Sequence, residues 1–382
     1  MKLVKSSIIQ IDFLIFCASI ATLSLSIKLS SKLLFIALSL GIIKSIINRD
    51  FKWILAQKKL LVIYIFFFIY ICIQGVFIDG LNSFFLSFDR SYAPYLVFLL
   101  APVFYFDSNR IKVLPKIFIA GLFFTFLLIL INSILHFEVY DRSIVQELFD
   151  IHHLYMSLYI LFSINYLLVR LFRIEDKKEF VLILIMLVIL VSFLGFFKSK
   201  AAMIILILLL AYHTMNRIKW NAIKKVIILS LLFILIVFFK NFLLDLYLRA
   251  FDFRLRIWSA ATEMISQNII FGYGSLNEYL QLNIAHFLHG NYEFLDFNYN
   301  AHNQYLSFLL KFGLIGLLLI LMSFGIPFFK NIKLLKKEYI GFLIIVGLMC
   351  FIESIYNRHH GIVLCTLMLY YYNTINMNEI KE

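Results

Sequence analysis

Long apolar stretches alternate with short polar ones along almost the whole chain. A run of about 20 apolar residues can cross the hydrocarbon core of a bilayer as a helix, and a helix satisfies its own backbone hydrogen bonds there. The pattern therefore predicts an all-α fold, a polytopic transmembrane helix bundle that forms one integral membrane domain over residues 1–382. About twelve spans are predicted, at 8–27, 30–48, 60–78, 93–106, 115–135, 153–171, 180–197, 201–216, 226–243, 303–329, 339–356 and 361–376.

Loops rich in Lys and Arg fall on one predicted side of this bundle. They include NRDFKWILAQKK (48–59), RLFRIEDKK (170–178) and KNIKLLKKE (330–338). Because cytoplasmic loops of membrane proteins carry an excess of Lys and Arg, this side is predicted to face the cytoplasm. Both termini then lie in the cytoplasm, and the first apolar segment is interpreted as an uncleaved signal-anchor.

The composition supports a protein that resides in a phospholipid bilayer. The chain is 63% hydrophobic and 15% charged, with a mean hydropathy of +0.93, whereas soluble domains average about 45–50% apolar and about 25% charged residues. The cytoplasmic loops account for the net charge of +13, so this charge does not indicate nucleic-acid binding. The four cysteines lie in apolar runs without metal-ligand spacing, and we predict no metal and no cofactor.

The longest stretch outside the spans is the large loop 244–302, which lies on the predicted outer side between spans nine and ten. Its first part, FRLRIWSAATEMISQNII, has the spacing of an amphipathic helix, with Arg254 and Trp258 one turn apart. A Gly-x-Gly element at 272–274 then interrupts this pattern. We therefore expect the loop to contain short helices.

Basic side chains concentrate at the predicted outer ends of the spans. Lys200 and His302 each stand where a span begins with its N-terminus facing outward, and helix N-termini attract anions through unsatisfied N–H groups and the helix dipole. The guanidinium groups of Arg254 and Arg256 suit phosphate oxygens. The sequence thus predicts a diphosphate site, and we assign it to Lys200, Arg254, Arg256 and Asn303. Lipid-linked diphosphate sugars present such an anion at this depth.

A neutral His302 beside this site can take a proton from a sugar hydroxyl, which completes a scheme for metal-free glycosyl transfer. Glu353 lies near the end of an apolar span, where a carboxylate is costly and is usually paired or functional. Further candidates for acceptor binding or support are His152, His153, Glu353, Arg358 and Trp258. Taken singly, basic residues at span ends usually reach toward the headgroups and loop histidines are usually solvated.

Two segments together resemble the bacterial O-antigen ligase and O-antigen polymerase superfamily. They are RLRIWSAATEMISQNIIFGYGSLNEY (254–279) and AHNQYLSFLLKFGLIGLLL (301–319). The family pattern has Arg four residues before Trp, a Gly-x-Gly turn, and His-Asn-x-Tyr-Leu opening a span that contains Gly-Leu-Ile-Gly. Two positions depart from it: Lys200 stands where the family usually has Arg, and Lys311 replaces a common acidic residue.

The resemblance implies a polytopic GT-C-type glycosyltransferase of the bacterial inner membrane. Such an enzyme transfers an undecaprenyl-diphosphate-linked glycan on the periplasmic face, with inversion and without metal. It implies that His302 is the base and that Arg254 and Lys200 hold the diphosphate. We favour a ligase, because the His-Asn and Arg/Trp elements are common in ligases.

Two alternatives remain open. A ligase uses lipid A–core as acceptor, whereas an O-antigen or capsular polysaccharide polymerase uses a second lipid-linked glycan, and both share the same donor chemistry. A lipid-linked oligosaccharide flippase or exporter predicts ionisable residues along a mid-bilayer cavity and halves that resemble each other, and neither feature is evident in the sequence.

Overall fold

The computed structural model describes residues 2–104, 108–136, 144–171, 174–215, 240–330 and 336–378, and these residues are helical wherever they have regular structure. The α-helices are α1 (Lys2–Ala21), α2 (Ile27–Asn48), α3 (Lys52–Ile78), α4 (Leu81–Ser91), α5 (Ser108–Ile111), α6 (Leu114–His136), α7 (Ile144–Phe149), α8 (His153–Leu171), α9 (Lys177–Phe196), α10 (Lys200–Met215), α11 (Lys240–Gln267), α12 (Glu278–Leu288), α13 (Gln304–Lys330), α14 (Lys336–Ile352) and α15 (His359–Asn378). Short 3₁₀ segments cover Ala93–Leu99, Ala101–Phe104, Tyr292–Phe297 and Ile355–Asn357.

Six helices among the described residues are long and apolar enough to cross a membrane. They are α2, α3, α6, α8, α9 and α13. Shorter apolar helices occur at Ile11–Ala21, Ala93–Val103 and Lys200–Met215. A polytopic helical bundle is therefore present, while the number of twelve spans stays a prediction. The predicted ninth span, 226–243, lies mostly outside the described residues.

The predicted fourth span differs from a single α-helix. It is built as the two 3₁₀ segments Ala93–Leu99 and Ala101–Phe104. Each segment has a proline at its second position, Pro94 and Pro102, and proline cannot donate a backbone hydrogen bond. The 3₁₀ form reaches further per residue than an α-helix, at about 2.0 Å against about 1.5 Å.

An aromatic core fixes this 3₁₀ run against α3 and α13. The ring of Tyr64 stacks on that of Phe98 at a centroid distance of 4.2 Å. Phe67 meets Tyr95 edge-on at 5.4 Å and Phe312 at 5.6 Å. Such ring pairs stabilise by about 0.5–1.5 kcal/mol each beyond the buried area. The non-α segment is therefore held by ring packing as well as by its own hydrogen bonds.

The large loop has a small core of its own. Helix α11 buries Ile257 and Ala261, which pack with Leu282 of α12 and with Phe294. The helix ends at Gln267, and Gly272 and Gly274 follow with positive φ angles of 70° and 89°. The loop is thus a folded unit whose last residues lead into α13.

Helix α13 is interrupted at Gly313, whose φ of 63° and ψ of −168° are not helical. These angles lie in a region of backbone space that is open almost only to glycine. The loop segment 269–274 pairs with the backbone groups on either side of the interruption. Four bonds join the two segments: Tyr273 N–H to the Leu310 carbonyl (2.7 Å), Gly274 N–H to the Lys311 carbonyl (2.9 Å), Leu314 N–H to the Ile269 carbonyl (2.8 Å) and Ile315 N–H to the Ile270 carbonyl (3.5 Å).

Polar side chains of α3 complete this junction. The Tyr70 hydroxyl donates to the Phe312 carbonyl at 2.8 Å, and the Gln74 amide donates to the Lys311 carbonyl at 2.7 Å. The Gln74 amide also donates to the carbonyl of Phe271. Carbonyls freed by a broken helix need such partners when water is scarce. The loop, α13 and α3 are therefore joined into one structure.

Candidate active site

His302 occupies a tight turn directly before α13. Its φ is +43°, a left-handed conformation that non-glycine residues adopt infrequently and that His, Asn and Asp tolerate best. The turn is held from two sides: the backbone N–H of His302 donates to the Asn300 side chain at 2.8 Å, and the Trp258 indole donates to the Ala301 carbonyl at 3.0 Å. Trp258 thus supports the position of the imidazole.

Asn303 caps the helix that follows. Its side-chain oxygen accepts from the backbone N–H groups of Tyr305 (3.0 Å) and Leu306 (3.3 Å), which is the usual role of Asn at this position. This oxygen therefore occupies the helix N-terminus where the sequence predicted an anion. The assignment of Asn303 to diphosphate binding stays a prediction.

Glu353 lies beside His302 at the end of α14. The helix ends at Ile352, so Glu353 lies just outside it rather than inside the predicted span 339–356. Both carboxylate oxygens are 3.3 Å from Nδ1 of His302. Burial raises the pKa of Glu353, but the hydrogen bond and charge of His302, the Ser354 N–H and the charge of Arg254 outweigh it, so the pKa lies below its ordinary value. The carboxylate is therefore ionised at neutral pH.

Arg254 brings a positive charge to the same place from α11. Burial lowers the pKa of its guanidinium, while the nearby Glu353 carboxylate raises it. An arginine lowered from its usual range above 12 still carries its charge at neutral pH. His302, Glu353 and Arg254 come from three elements that are far apart in sequence, and the fold gathers them into one cluster.

The Arg256 side chain faces solvent and pairs with a different carboxylate. Its guanidinium pairs with Glu293 at 3.0 Å, and both side chains are well exposed to solvent. Residues two positions apart on a helix lie about 200° apart around the axis, so Arg254 and Arg256 cannot share one face of α11. That spacing was a signal in the sequence against assigning both residues to one diphosphate.

Lys200 begins α10, as the sequence predicted, and its side chain is exposed. In the part of the chain that the structure describes, no ion pair of Lys200 is present. Its diphosphate role stays a prediction.

Two histidines and an arginine predicted as acceptor or support residues lie near the turn that carries Glu353. His152 and His153 lie at the start of α8, with ring centroids 4.2 Å apart. Arg358 is exposed between α14 and α15. The hydroxyl of Tyr155, two residues after His153, donates to the Ile355 carbonyl at 3.4 Å, which brings the start of α8 to this turn.

Sequence reasoning missed a buried ion pair that supports the site. Lys311 reaches Glu278 at 2.9 Å, and the Glu278 side chain is 0% exposed. The carboxylate also accepts from the Ala301 N–H at 3.2 Å and from the Asn357 amide at 3.1 Å. The Glu278 carboxylate therefore contacts three elements at once: the residue before His302, helix α13 and the turn after Glu353.

The pair also accounts for the unusual Lys311. A lone lysine within a span requires a counter-charge. A search of the adjoining loop for an acidic residue without an assigned role could therefore have found Glu278. Burial raises the pKa of Glu278, but the charge and hydrogen bond of Lys311, the Ala301 N–H and the Ser307 hydroxyl bring it below the ordinary value. Within the described ranges, no group of three His, Cys, Asp or Glu side chains is placed to hold a metal ion.

This geometry can be compared with known families. Residues 179–321 match the family model described as O-antigen ligase. The matched segment is therefore similar to this family. The match begins in α9 and ends in α13, so it includes Lys200, Arg254, Trp258 and His302, and it confirms the resemblance to the O-antigen ligase and polymerase superfamily.

No curated protein is matched by the chain. The long apolar helices indicate a membrane protein, and residues 179–321 are similar to the O-antigen ligase family. Members of this family are glycosyltransferase-like ligases and polymerases that act on lipid-linked glycans in lipopolysaccharide biosynthesis.

Proposed function

We propose that this protein transfers a glycan from an undecaprenyl diphosphate carrier to a hydroxyl group of lipid A–core, on the periplasmic face of a bacterial inner membrane. The observation that carries the proposal is the contact between His302 and Glu353 beside the half-buried Arg254. A base, a group that orients the base and a cation for the leaving group are the components that glycosyl transfer from a diphosphate requires.

The contact with Glu353 supports His302 as the base. Neutral His302 that donates its Nδ1 proton to the carboxylate leaves Nε2 with a free lone pair. Nε2 takes the proton of the acceptor hydroxyl as the hydroxyl oxygen attacks the anomeric carbon. Glu353 then stabilises the imidazolium that forms, as a carboxylate does in catalytic triads.

Arg254 supports departure of the carrier. As the new C–O bond forms, the bond between the anomeric carbon and the diphosphate oxygen breaks, and both electrons go to the departing diphosphate. Its growing negative charge is stabilised by the guanidinium, which binds phosphate oxygens in a planar fork. Attack opposite the leaving group inverts the anomeric configuration, and the proposed scheme uses no metal ion.

A polymerase that joins lipid-linked repeat units is the alternative, since the same cluster serves both reactions and only the acceptor differs. The two activities are distinguished by supplying a defined lipid-linked donor with either lipid A–core or a second lipid-linked unit. A flippase or exporter is less well supported, because His302 and Glu353 lie just outside the ends of α13 and α14 and Arg254 belongs to the large loop.

His302→Ala and His302→Asn are both expected to abolish ligation. Asparagine tolerates a left-handed backbone, so His302→Asn keeps the turn while it removes the base. General bases contribute about 10²–10⁴-fold, so the ladder of capped lipopolysaccharide should vanish from a gel when the variants are expressed at the wild-type level. An unchanged ladder for His302→Asn would rule out His302 as the base.

Arg254→Ala is expected to lower kcat/KM for the lipid-linked donor by about 10²–10³-fold, the usual cost of losing one preorganised group that stabilises transition-state charge. Arg256→Ala on the same helix removes an exposed ion pair with Glu293, and such a pair contributes about 0–1 kcal/mol. It should change kcat/KM by less than about fivefold. Steady-state kinetics on purified variants makes this comparison, and equal losses for the two variants would contradict the assignment.

A further inference from the structure

Two aromatic rings of the large loop lie close to the imidazole of His302. The ring centroids of Phe253 and Tyr299 are 6.4 Å and 6.2 Å from that of His302. Phe253 meets Tyr299 edge-on at 4.7 Å, and Phe297 continues the row at 5.5 Å from Tyr299. We call Phe253, Tyr299 and Phe297 the aromatic platform.

The aromatic platform is anchored in the small core of the loop. Phe253 stacks on Phe294 at a centroid distance of 5.0 Å, and Phe294 stacks on His286 at 4.5 Å. Phe294 and His286 are both buried, so these two rings form a solid base beneath Phe253. The aromatic platform is therefore formed before any ligand binds, as ligand sites usually are.

The aromatic platform itself is only partly covered by the described chain. Phe253 is 38% exposed and Phe297 is 66% exposed. Asn298 and Asn300 flank Tyr299 in the chain, and their amide groups can hydrogen-bond to hydroxyl groups. An exposed apolar surface that is bordered by polar residues is typical of a ligand-binding or interaction site.

A sugar ring has the chemistry that such a surface binds. One face of a pyranose presents C–H groups, while its hydroxyl groups project from the edge. An aromatic ring covers apolar surface and presents a negative face, which attracts polarised C–H groups. The side chains of the aromatic platform are uncharged, so they suit a sugar ring better than the diphosphate, which is assigned to Arg254.

We propose that the aromatic platform stacks against the acceptor sugar and presents its hydroxyl group to His302. This inference rests on the proposed function. Because the base must contact the reacting hydroxyl, the acceptor sugar has to lie directly beside the imidazole, where Phe253 and Tyr299 are. The donor is already held through its diphosphate at Arg254, whereas the acceptor hydroxyl carries no charge by which the cluster could hold it.

Steady-state kinetics on Phe297→Leu tests the aromatic platform, because this variant removes an exposed ring that is not among the contacts of His302. It should raise KM for lipid A–core about three- to tenfold, the loss that corresponds to one ring contact. A contact made equally before and during the reaction affects KM alone. The value of kcat and KM for the lipid-linked donor should therefore change by less than about twofold. Phe297→Tyr keeps the ring and should retain the wild-type KM.

Phe287→Leu provides the matched control. Phe287 is 60% exposed in the same loop, but its ring pairs with Tyr292 on α12 and not with the aromatic platform. This variant should leave KM for lipid A–core unchanged. An equal rise in both variants would indicate a general contact of exposed rings with the bilayer interface and would overturn the proposal. A rise in KM for the donor alone would overturn it as well.

Binding of delipidated core oligosaccharide separates the aromatic platform from the reaction. Saturation-transfer difference NMR on the full-length protein in phospholipid nanodiscs reports which sugar protons contact the protein. The C–H protons on one face of a sugar ring should receive most saturation, and Phe297→Leu should weaken this signal while Phe287→Leu does not. His302→Asn should keep the signal while it loses ligation.

The two proposals can fail independently in this experiment. If ligation depends on His302 while Phe297→Leu keeps the full signal and the wild-type KM, the proposed function stands and the aromatic platform is wrong. If the signal depends on Phe297 while His302→Asn ligates normally, the aromatic platform stands and the proposed mechanism is wrong.

Discussion

Glu278→Gln is expected to destabilise the protein by about 3–5 kcal/mol, because removing one partner of a buried ion pair leaves the other charge uncompensated. The Lys311 side chain is only 12% exposed, so water cannot replace the lost carboxylate. Lys311→Met should have an effect of similar size, since it leaves the Glu278 carboxylate buried without a counter-charge. Thermal unfolding in detergent and the yield of folded protein measure the loss.

The double variant Glu278→Gln with Lys311→Met should recover much of this stability, because replacing both charges of a buried pair is often nearly neutral. A partly exposed pair provides the control: Arg170 contacts Glu179 at 2.8 Å, with side chains 35% and 38% exposed. Arg170→Met should cost about 0–1 kcal/mol. If the loss of stability in the double variant equals the sum of the losses in the two single variants, the two charges do not interact.

The contribution of this pair to the stability of the protein depends on pH in a defined direction. The pKa of Glu278 in the folded protein lies below its ordinary value, so its contribution to stability is fully present above the unfolded pKa. The contribution is lost as the pH falls through the folded pKa. Loss of this contact in acid loosens the Ala301 backbone, and thereby the turn that holds His302.

Gly313→Ala and Gly272→Ala are expected to prevent normal folding or to cost at least about 2 kcal/mol each, from backbone strain and lost hydrogen bonds. A methyl group at Gly313 collides with the Ile270 carbonyl. One at Gly272 lies 2.6 Å from the Gly313 nitrogen and 2.7 Å from the Leu310 carbonyl. Because these neighbours are backbone atoms, relief requires the two paired segments to separate.

Variants of two other glycines serve as controls that distinguish backbone strain from steric collision. Gly290 has a φ of +69° and would have no atom within 4 Å of an added methyl group, and Gly195 has neither a positive φ nor a close neighbour. Gly290→Ala should therefore cost only about 1–2 kcal/mol of backbone strain, and Gly195→Ala in α9 should be neutral or stabilising. Size-exclusion profiles and melting temperatures make the comparison. Losses for Gly313→Ala no larger than those for Gly290→Ala would contradict the close approach of the segments.

Local sequence patterns predicted those features that depend on neighbours in the chain. Apolar runs predicted the long apolar helices, the Arg254 and Trp258 spacing predicted a helix in the loop, and the position of His302 predicted the start of α13. Contacts between distant segments could not be predicted from such local patterns. The partner of His302 lies 51 residues away, and no periodic pattern connects Glu353 to it.

The 3₁₀ run and the cavity between α13 and α14 were also beyond sequence reasoning, for different reasons. An apolar run such as Ala93–Phe104 has the same composition whether it forms an α-helix or 3₁₀ segments, and ring packing against Tyr64 and Phe67 selects the outcome here. The cavity depends on how α14 packs against the interrupted helix α13, which is a tertiary property.

The junction between the large loop and α3 has a consequence for how substrates enter. Besides its bonds to Tyr70 and Gln74, the loop is held through Asn277, whose amide donates to Asp79 at the end of α3 at 2.8 Å. A segment anchored along both edges by backbone and side-chain bonds does not swing open as a lid does. We therefore expect residues 269–277 to stay in place as substrates enter, rather than to open as a lid.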